Sequence, residues 1–210
     1  MIQVGAPSVP RLILVTDRHA IAGRDLIDVV CAALDAGLPA VQLREKDLPG
    51  VAVFALAERL RAETAARGAL LFVNERVDVA VAVGADGVQL GHGAFGVADA
   101  RRLLSPGARV GVSIHATAEV AQAGDADFLL FGAVYPTPGK NAVGVAALRA
   151  AVAAAAPLPV LAIGGITAVE VPELRAAGAA GVAVIRTILA ARDAAEVTRA
   201  LLGALDRAPA

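Results

Sequence analysis

Short apolar runs alternate along the chain with longer stretches whose polar residues collect on one helical face. Eight of the runs have the length and branched-residue content of buried strands: Arg11–Thr16, Ala40–Arg44, Ala69–Val73, Gly87–Leu90, Val110–Ile114, Phe128–Phe131, Val160–Ile163 and Gly181–Val184. Between them, Arg24–Ala36, Val51–Arg67 and Ala146–Ala155 are predicted as helices, and Ala194–Asp206 as the helix that ends the chain. Strands that strictly alternate with helices require right-handed crossovers and a parallel sheet, and eight such units close into a single (β/α)8 TIM barrel. A doubly wound open sheet is the alternative. Against it, no Gly-x-Gly-x-x-Gly follows the first strand, where a dinucleotide site in such a sheet would need one.

A weak internal repeat agrees with this order. Asp35-Ala-Gly-Leu-Pro-Ala-Val-Gln-Leu43, Val83-Gly-Ala-Asp-Gly-Val-Gln-Leu90 and Ala177-Gly-Ala-Ala-Gly-Val-Ala-Val184 each carry a glycine where a helix should end, followed by an apolar strand. Glycine stops a helix there by taking a left-handed conformation. Such punctuation is common to α/β proteins, so it supports the class more than the closure of the barrel.

Composition narrows the picture. At 210 residues the chain is sized for one domain, 1–210. It is 57% hydrophobic but only 3% aromatic, so its core must be built from small and branched side chains. Nineteen lysines and arginines against 20 acidic residues give a net charge of −1, which provides no global field for nucleic acid or an anionic membrane surface. Any anion site must therefore be local. Cys31 is the only cysteine and is expected as a small buried hydrophobe; it offers neither a disulfide nor a cysteine metal cluster. The first residues lack the basic start and apolar run of a signal peptide, and a cytoplasmic location is expected.

Polar residues gather where strands run into the loops that carry the chemistry of barrel enzymes. The strand ends bring Thr16 and Asp17; Gln42, Arg44, Glu45 and Lys46; Asn74, Glu75 and Arg76; Gln89 and His92; Ser113 and His115; Tyr135, Thr137 and Lys140; and Gly164, Gly165 and Thr167. Gly164-Gly165-Ile166-Thr167 is expected to present bare backbone N–H groups to a phosphate at a helix N-terminus, and Ile185-Arg186 to add further N–H groups and a guanidinium. Arg186 is equally well read as a surface arginine. His115, at the end of the fifth strand, is the candidate general acid and base, because imidazole both gives and takes a proton near neutral pH. His19 and His92 are expected as exposed loop residues. Gln42, Arg44 and Lys46 alternate along one face of a strand and its extension, and suit an anionic substrate. A rim network of ion pairs with Glu45 and Asp47 would account for the same charges.

Taken together, Leu14-Val-Thr-Asp17, Val41-Gln-Leu-Arg-Glu-Lys46, Val73-Asn-Glu-Arg-Val-Asp78, Gly84-Ala-Asp-Gly-Val-Gln-Leu90, Gly111-Val-Ser-Ile-His115, Phe131-Gly-Ala-Val-Tyr-Pro-Thr137 and Ala162-Ile-Gly-Gly-Ile-Thr167 resemble the thiamine phosphate synthase superfamily, in its order and over nearly the whole chain. That resemblance implies one of two activities. One branch joins a pyrimidine pyrophosphate to a thiazole phosphate, and the other, the thiazole tautomerases, aromatises the carboxythiazole phosphate that feeds it. The synthases hold magnesium on an aspartate after the asparagine of an Asn-Asp-Arg motif and on a second aspartate past a His-Leu-Gly motif; here those positions are Glu75 and Ala94. Their Pro-Thr-x-Thr-Lys loop reads Pro136-Thr-Pro-Gly-Lys140. Magnesium neutralises a departing pyrophosphate, and alanine cannot bind it. The expectation is therefore a thiazole tautomerase that needs no metal or cofactor, with His115 moving the proton. Gln42, Arg44, Lys46, Asn74, Ser113, Thr137 and Lys140 would bind a small phosphorylated thiazole, and Gly164, Gly165, Ile185 and Arg186 its phosphate. The synthase and a non-catalytic phosphometabolite-binding barrel are the alternatives. A homodimer is implied by the resemblance alone, and no nucleic-acid or membrane partner is expected.

Overall fold

The computed structural model describes residues 9–21, 23–91 and 95–207. Eight parallel strands close into a barrel in sequence order: β1 (Leu12–Val15), β2 (Ala40–Leu43), β3 (Leu70–Asn74), β4 (Gly87–Leu90), β5 (Arg109–Ile114), β6 (Phe128–Phe131), β7 (Val160–Ile163) and β8 (Gly181–Val184). The ring is sealed by β8 pairing with β1, Ile13 opposite Ala183. The (β/α)8 expectation holds, and the strand positions differ from those predicted by at most one residue at either end.

Among the described residues eight helices surround the barrel: α1 (Leu26–Asp35), α2 (Gly50–Ala66), α3 (Val77–Val83), α4 (Val97–Leu103), α5 (Val145–Ala155), α6 (Val171–Ala176), α7 (Arg186–Leu189) and α8 (Ala194–Arg207). The four predicted from periodicity are the long ones. The other four are 4 to 7 residues long, too short for a 3.6-residue pattern to repeat convincingly, and the crossover from β5 to β6 is a 3-10 segment, Thr117–Gln122. The repeated helix-stop glycines behave as expected: Gly37, Gly84 and Gly178 all have positive φ.

Strand alternation divides the core in two. Outward side chains such as Leu12, Leu14, Val41, Leu71 and Val110 pack under the helices in the larger cluster. Inward ones form a separate cluster of Ile13, Val15, Ala40, Phe72, Phe128, Leu130, Leu161 and Ala183. Its centre is an edge-to-face pair, Phe72 and Phe128, with ring centroids 5.5 Å apart and planes at 78°. Two inward glycines make room for these rings. A Cβ on Gly87 would lie 2.9 Å from Phe72 Cε1, and one on Gly111 would meet both the Phe128 ring and Gln89 Oε1.

At the opposite end of the barrel a second device repeats. Asp86, just before β4, accepts from Leu71 N in β3 (2.8 Å) and from Arg61 of α2 (2.7 Å). Asp127, just before β6, accepts from Val110 N in β5 (2.6 Å) and from Arg101 of α4 (2.7 Å). Each carboxylate pins a helix to two neighbouring strands and so sets the height of the strand ends opposite. Cys31 departs from expectation. It lies on the seam between α1 and α2, only partly buried, and donates its thiol to Glu63 at 3.2 Å. Burial and that carboxylate push the thiol up to about 11. Among the described residues no helix is long and apolar enough to cross a membrane.

Gly111→Ala tests the packing of the interior. The added methyl has to displace Phe128 or Gln89, and the expected cost is about 1–3 kcal/mol, read as a lower denaturation midpoint with an unchanged slope. A variant as stable as the wild type would show that the rings have slack.

Candidate functional site

Above the aromatic pair, at the carboxyl ends of the strands, the next inward positions on β2 to β5 are polar: Gln42, Asn74, Gln89 and Ser113. The register places Asn74 opposite Gln89, and Gln42 opposite Phe72 one step below Asn74. Gln42 Nε2 donates to Asn74 Oδ1 at 3.2 Å, and Gln89 Nε2 donates to Ser113 Oγ at 3.0 Å. Gln42 and Gln89 are buried, and among the described residues the Oε1 of each has no partner. An amide carbonyl stranded in this way costs about 1–3 kcal/mol, so this floor is arranged for something other than stability alone.

The rim over that floor carries charges of both signs. The ion-pair network weighed for the β2 extension does exist, but its cation is Arg18, from the loop after β1. Arg18 donates to the buried Glu45 at 3.2 Å and to both oxygens of Asp47 at 2.5 and 2.6 Å, and His19 Nε2 lies 3.1 Å from Asp47. Arg18, and then His19, hold the Asp47 carboxyl well below the usual carboxylate range. Arg44 is thereby left over. Its backbone N–H donates to the fully buried Thr16 Oγ1 at 2.9 Å, and among the described residues its guanidinium has no acidic partner. Lys46 stands 3.4 Å from Glu75, which alone among the described non-glycine residues has a positive φ, 59°. That conformation lays the Glu75 carboxylate over bare Gly91, where a Cβ would strike Oε1.

The other half of the mouth is backbone. Gly164 and Gly165 have φ of 105° and 66°, and a side chain on either would collide with the loop after β6: Gly164 with Ala133, Gly165 with Tyr135 at 2.8 Å and Pro136 O at 2.9 Å. Tyr135 N donates to Gly164 O at 3.1 Å, and Tyr135 OH to Glu173 at 2.7 Å. One expectation is corrected here. The glycine pair does not open a helix: α6 begins only at Val171, and Glu170 accepts from Thr167 N at 2.8 Å and Thr167 Oγ1 at 2.6 Å. Those bonds draw the Glu170 carboxyl below its ordinary value. The backbone after β8 is the better placed, since Ile185 directly precedes α7 and Thr187 Oγ1 ties it to Ile166 O at 2.6 Å. Arg186 is exposed. Thr137 and Lys140 face each other across a tight turn, with Lys140 N donating to Thr137 O at 3.0 Å.

The structure thus gathers Gln42, Asn74 and Ser113 on one floor, with Arg44 and Lys46 following on the β2 extension at the rim. Gly164, Gly165, Ile185 and Arg186 lie on the adjoining strand ends across the ring. His115 follows β5 with its side chain half exposed, its backbone N–H donating to Glu119 at 2.8 Å and Nδ1 3.8 Å from the same carboxylate. His92 and Ala94 lie outside the described residues. Gln89 was recognised as a strand-end polar residue but not as part of the site; the parity that selects Gln42 and Asn74 also turns Gln89 inward. Glu75 stands among the strand-end polar residues and at the first magnesium position of the family motif, whereas Arg18 carries no comparable signal.

The sequence matches the family described as thiamine monophosphate synthase over residues 12–188. The chain belongs to that family. Within the thiamine monophosphate synthase family, a Geobacter sulfurreducens relative is 50% identical over 202 residues, covering 92% of this chain and 93% of its own length. The thiamine-phosphate synthase of Haloquadratum walsbyi is 41% identical, covering 93% of this chain and 91% of that protein. The solved structure of a thiamine phosphate pyrophosphorylase from Pyrococcus furiosus superposes with a TM-score of 0.85 at 34% identity, over 93% of this chain and 95% of that one. These likenesses overturn the tautomerase expectation: the relatives named here are synthases, not tautomerases. The error lay in the weight given to Ala94. Magnesium commonly takes one or two protein carboxylates and fills its remaining positions with waters and phosphate oxygens, so losing one ligand does not remove the site. Such a reduced seat would have Glu75 as its protein carboxylate, its Oε1 next to Gly91 and 3.4 Å from Lys46 Nζ, while position 94 would supply none.

Asp47→Asn tests the rim network through its pH dependence. Because Arg18 and His19 lower the folded-state pKa of Asp47, its stabilisation is complete above the ordinary carboxylate pKa of about 4 and is lost as pH falls below it. The melting temperatures of wild type and D47N should differ most at about pH 5, and the gap should narrow steadily as pH falls below about 4. A gap that does not change with pH would show that the ion pairs contribute nothing.

Proposed function

We propose that this chain is a transferase that joins a pyrimidine pyrophosphate to a thiazole phosphate, giving thiamine phosphate and pyrophosphate. The observation that carries this reading is the division of the mouth into two unlike halves. Its β2–β5 side offers amides and a hydroxyl at the floor beneath Arg44 and Lys46 at the rim, which suits a polar aromatic ring ending in a strongly charged group. Its β6–β8 side offers bare backbone at Gly164, Gly165 and Ile185, with Lys140 and Arg186 exposed beside it, which suits a second, singly phosphorylated molecule.

Two substrates held side by side meet the first requirement of a bimolecular reaction, since positioning alone lowers the barrier substantially. In the transfer, the thiazole ring nitrogen takes the carbon that carries the pyrophosphate: a C–N bond forms, a C–O bond breaks and pyrophosphate leaves with the bonding pair. No proton passes between the rings, so His115 has no role as a proton carrier. Negative charge grows on the leaving oxygen, and Arg44, which has no acidic partner among the described residues, is the cation available to meet it. Lys46 is held near the same place by Glu75. Magnesium, when bound, would add to this neutralisation, with Glu75 as its protein ligand.

Purified protein supplied with magnesium, the pyrimidine pyrophosphate and the thiazole phosphate should form thiamine phosphate and pyrophosphate in equal amounts. Arg44→Ala should lower kcat/KM for the pyrimidine substrate about a hundredfold and leave KM for the thiazole phosphate nearly unchanged. Wild-type protein that forms no thiamine phosphate at saturating substrates would overturn the proposal.

A further inference from the structure

We propose that Gln89 is a positioning residue that fixes the Ser113 hydroxyl as a hydrogen-bond donor to a ring nitrogen of the substrate on the floor of the mouth. This rests on the transferase reading above and assigns a role to a residue outside the set of expected contacts.

Gln89 is 1% exposed, so a ligand does not reach it directly. Ser113 is only partly buried and stands one step nearer the opening. The Gln89 amide leans across β5 with Nε2 on Ser113 Oγ and Oε1 over Gly111, against the Phe128 ring. The opposite orientation would turn two N–H donors towards that ring and the bare glycine in place of one carbonyl, and unpaired buried donors are rarer than under-used acceptors. The observed orientation is therefore the favoured one, and it decides the polarity of Ser113. A hydroxyl that already accepts a hydrogen bond has its own proton left to give, and no described residue accepts it. Gln42 acts on Asn74 in the same way: by donating to Oδ1 it leaves Nδ2 as a second free donor. The floor thus meets its ligand with donors, which an aromatic ring carrying nitrogen acceptors satisfies. The stranded carbonyl of Gln89 is the cost of that polarity.

The test is a double-mutant cycle read by calorimetric binding of the pyrimidine pyrophosphate with no thiazole phosphate present, so that no turnover occurs. Gln89→Leu and Ser113→Ala should each weaken Kd about tenfold. The double variant should bind no more weakly than Ser113→Ala alone, because the two act as one unit. Binding of the thiazole phosphate should stay unchanged in all three. Gln89→His retains a ring N–H as donor and should regain most of the affinity. If Gln89→Leu fails to fold, Gln89→Met carries the same cycle. A wild-type Kd for the Gln89 variant, or losses that simply add, would overturn the inference while leaving the transferase reading intact. Wild-type protein that does not bind the pyrimidine pyrophosphate would overturn both.

Discussion

The edge-to-face contact between Phe72 and Phe128 sets the depth of the site. These two rings fill an apolar layer otherwise made of aliphatic and small side chains, and they fit only because Gly87 and Gly111 leave their inner faces bare. With the interior plugged at that level, the next inward position on each of β2 to β5 has a solid apolar base beneath it and loops above. Amides there are too deep for bulk water and must pair with each other. The pairings Gln42 to Asn74 and Gln89 to Ser113 follow from that confinement, as do the two carbonyls left over. A shallower plug would admit water and remove the reason for a fixed polarity.

Charge on the rim is governed by a similar economy of partners. The segment from Arg44 to Asp47 brings two cations and two anions, and self-pairing would cancel them. Arg18 prevents this by binding Glu45 and Asp47 together from the neighbouring loop, with one carboxylate buried and the other exposed. A guanidinium is suited to this bridging because its planar fork serves several oxygens at once. Arg44, anchored through its backbone to Thr16, keeps its charge available beside the floor.

The fold was legible because its signals are local and repeated. Eight apolar runs, the helix-stop glycines and the long amphipathic helices each report on their own segment, and a parallel barrel is what remains when they alternate. The four short helices show no periodicity of their own, because a pattern needs more than one or two turns to show itself; α3 and α6 are marked by the glycines that end them, and α7 by its place after β8. At the site, parity along a strand was enough to bring Gln42, Asn74 and Ser113 inward. What the sequence left open were partnerships between loops: that Arg18 rather than Arg44 serves Glu45 and Asp47, that Glu170 rather than a ligand takes the N–H of Thr167, and that α6 starts too late to place its N-terminus on Gly164 and Gly165. Such choices depend on distances across the ring, which spacing along the chain does not encode.

The misreading of activity has the same origin. Ala94 counts as a missing ligand only where a site is counted residue by residue, whereas a magnesium site that also takes phosphate oxygens is counted with the phosphate included. Glu75 is held in an otherwise disfavoured left-handed conformation, its carboxylate laid on Gly91 and within reach of Lys46. Backbone strain of this kind persists where surrounding structure enforces it. Here the enforcing bonds are Glu75 N to Gln89 O at 3.0 Å and Val77 N to Glu75 O at 3.1 Å, so the loop that aims the carboxylate is tied to the strand that carries Gln89. The reading of the ring at the floor and the handling of charge at the rim therefore share one piece of backbone. A change in either is expected to be felt in the other.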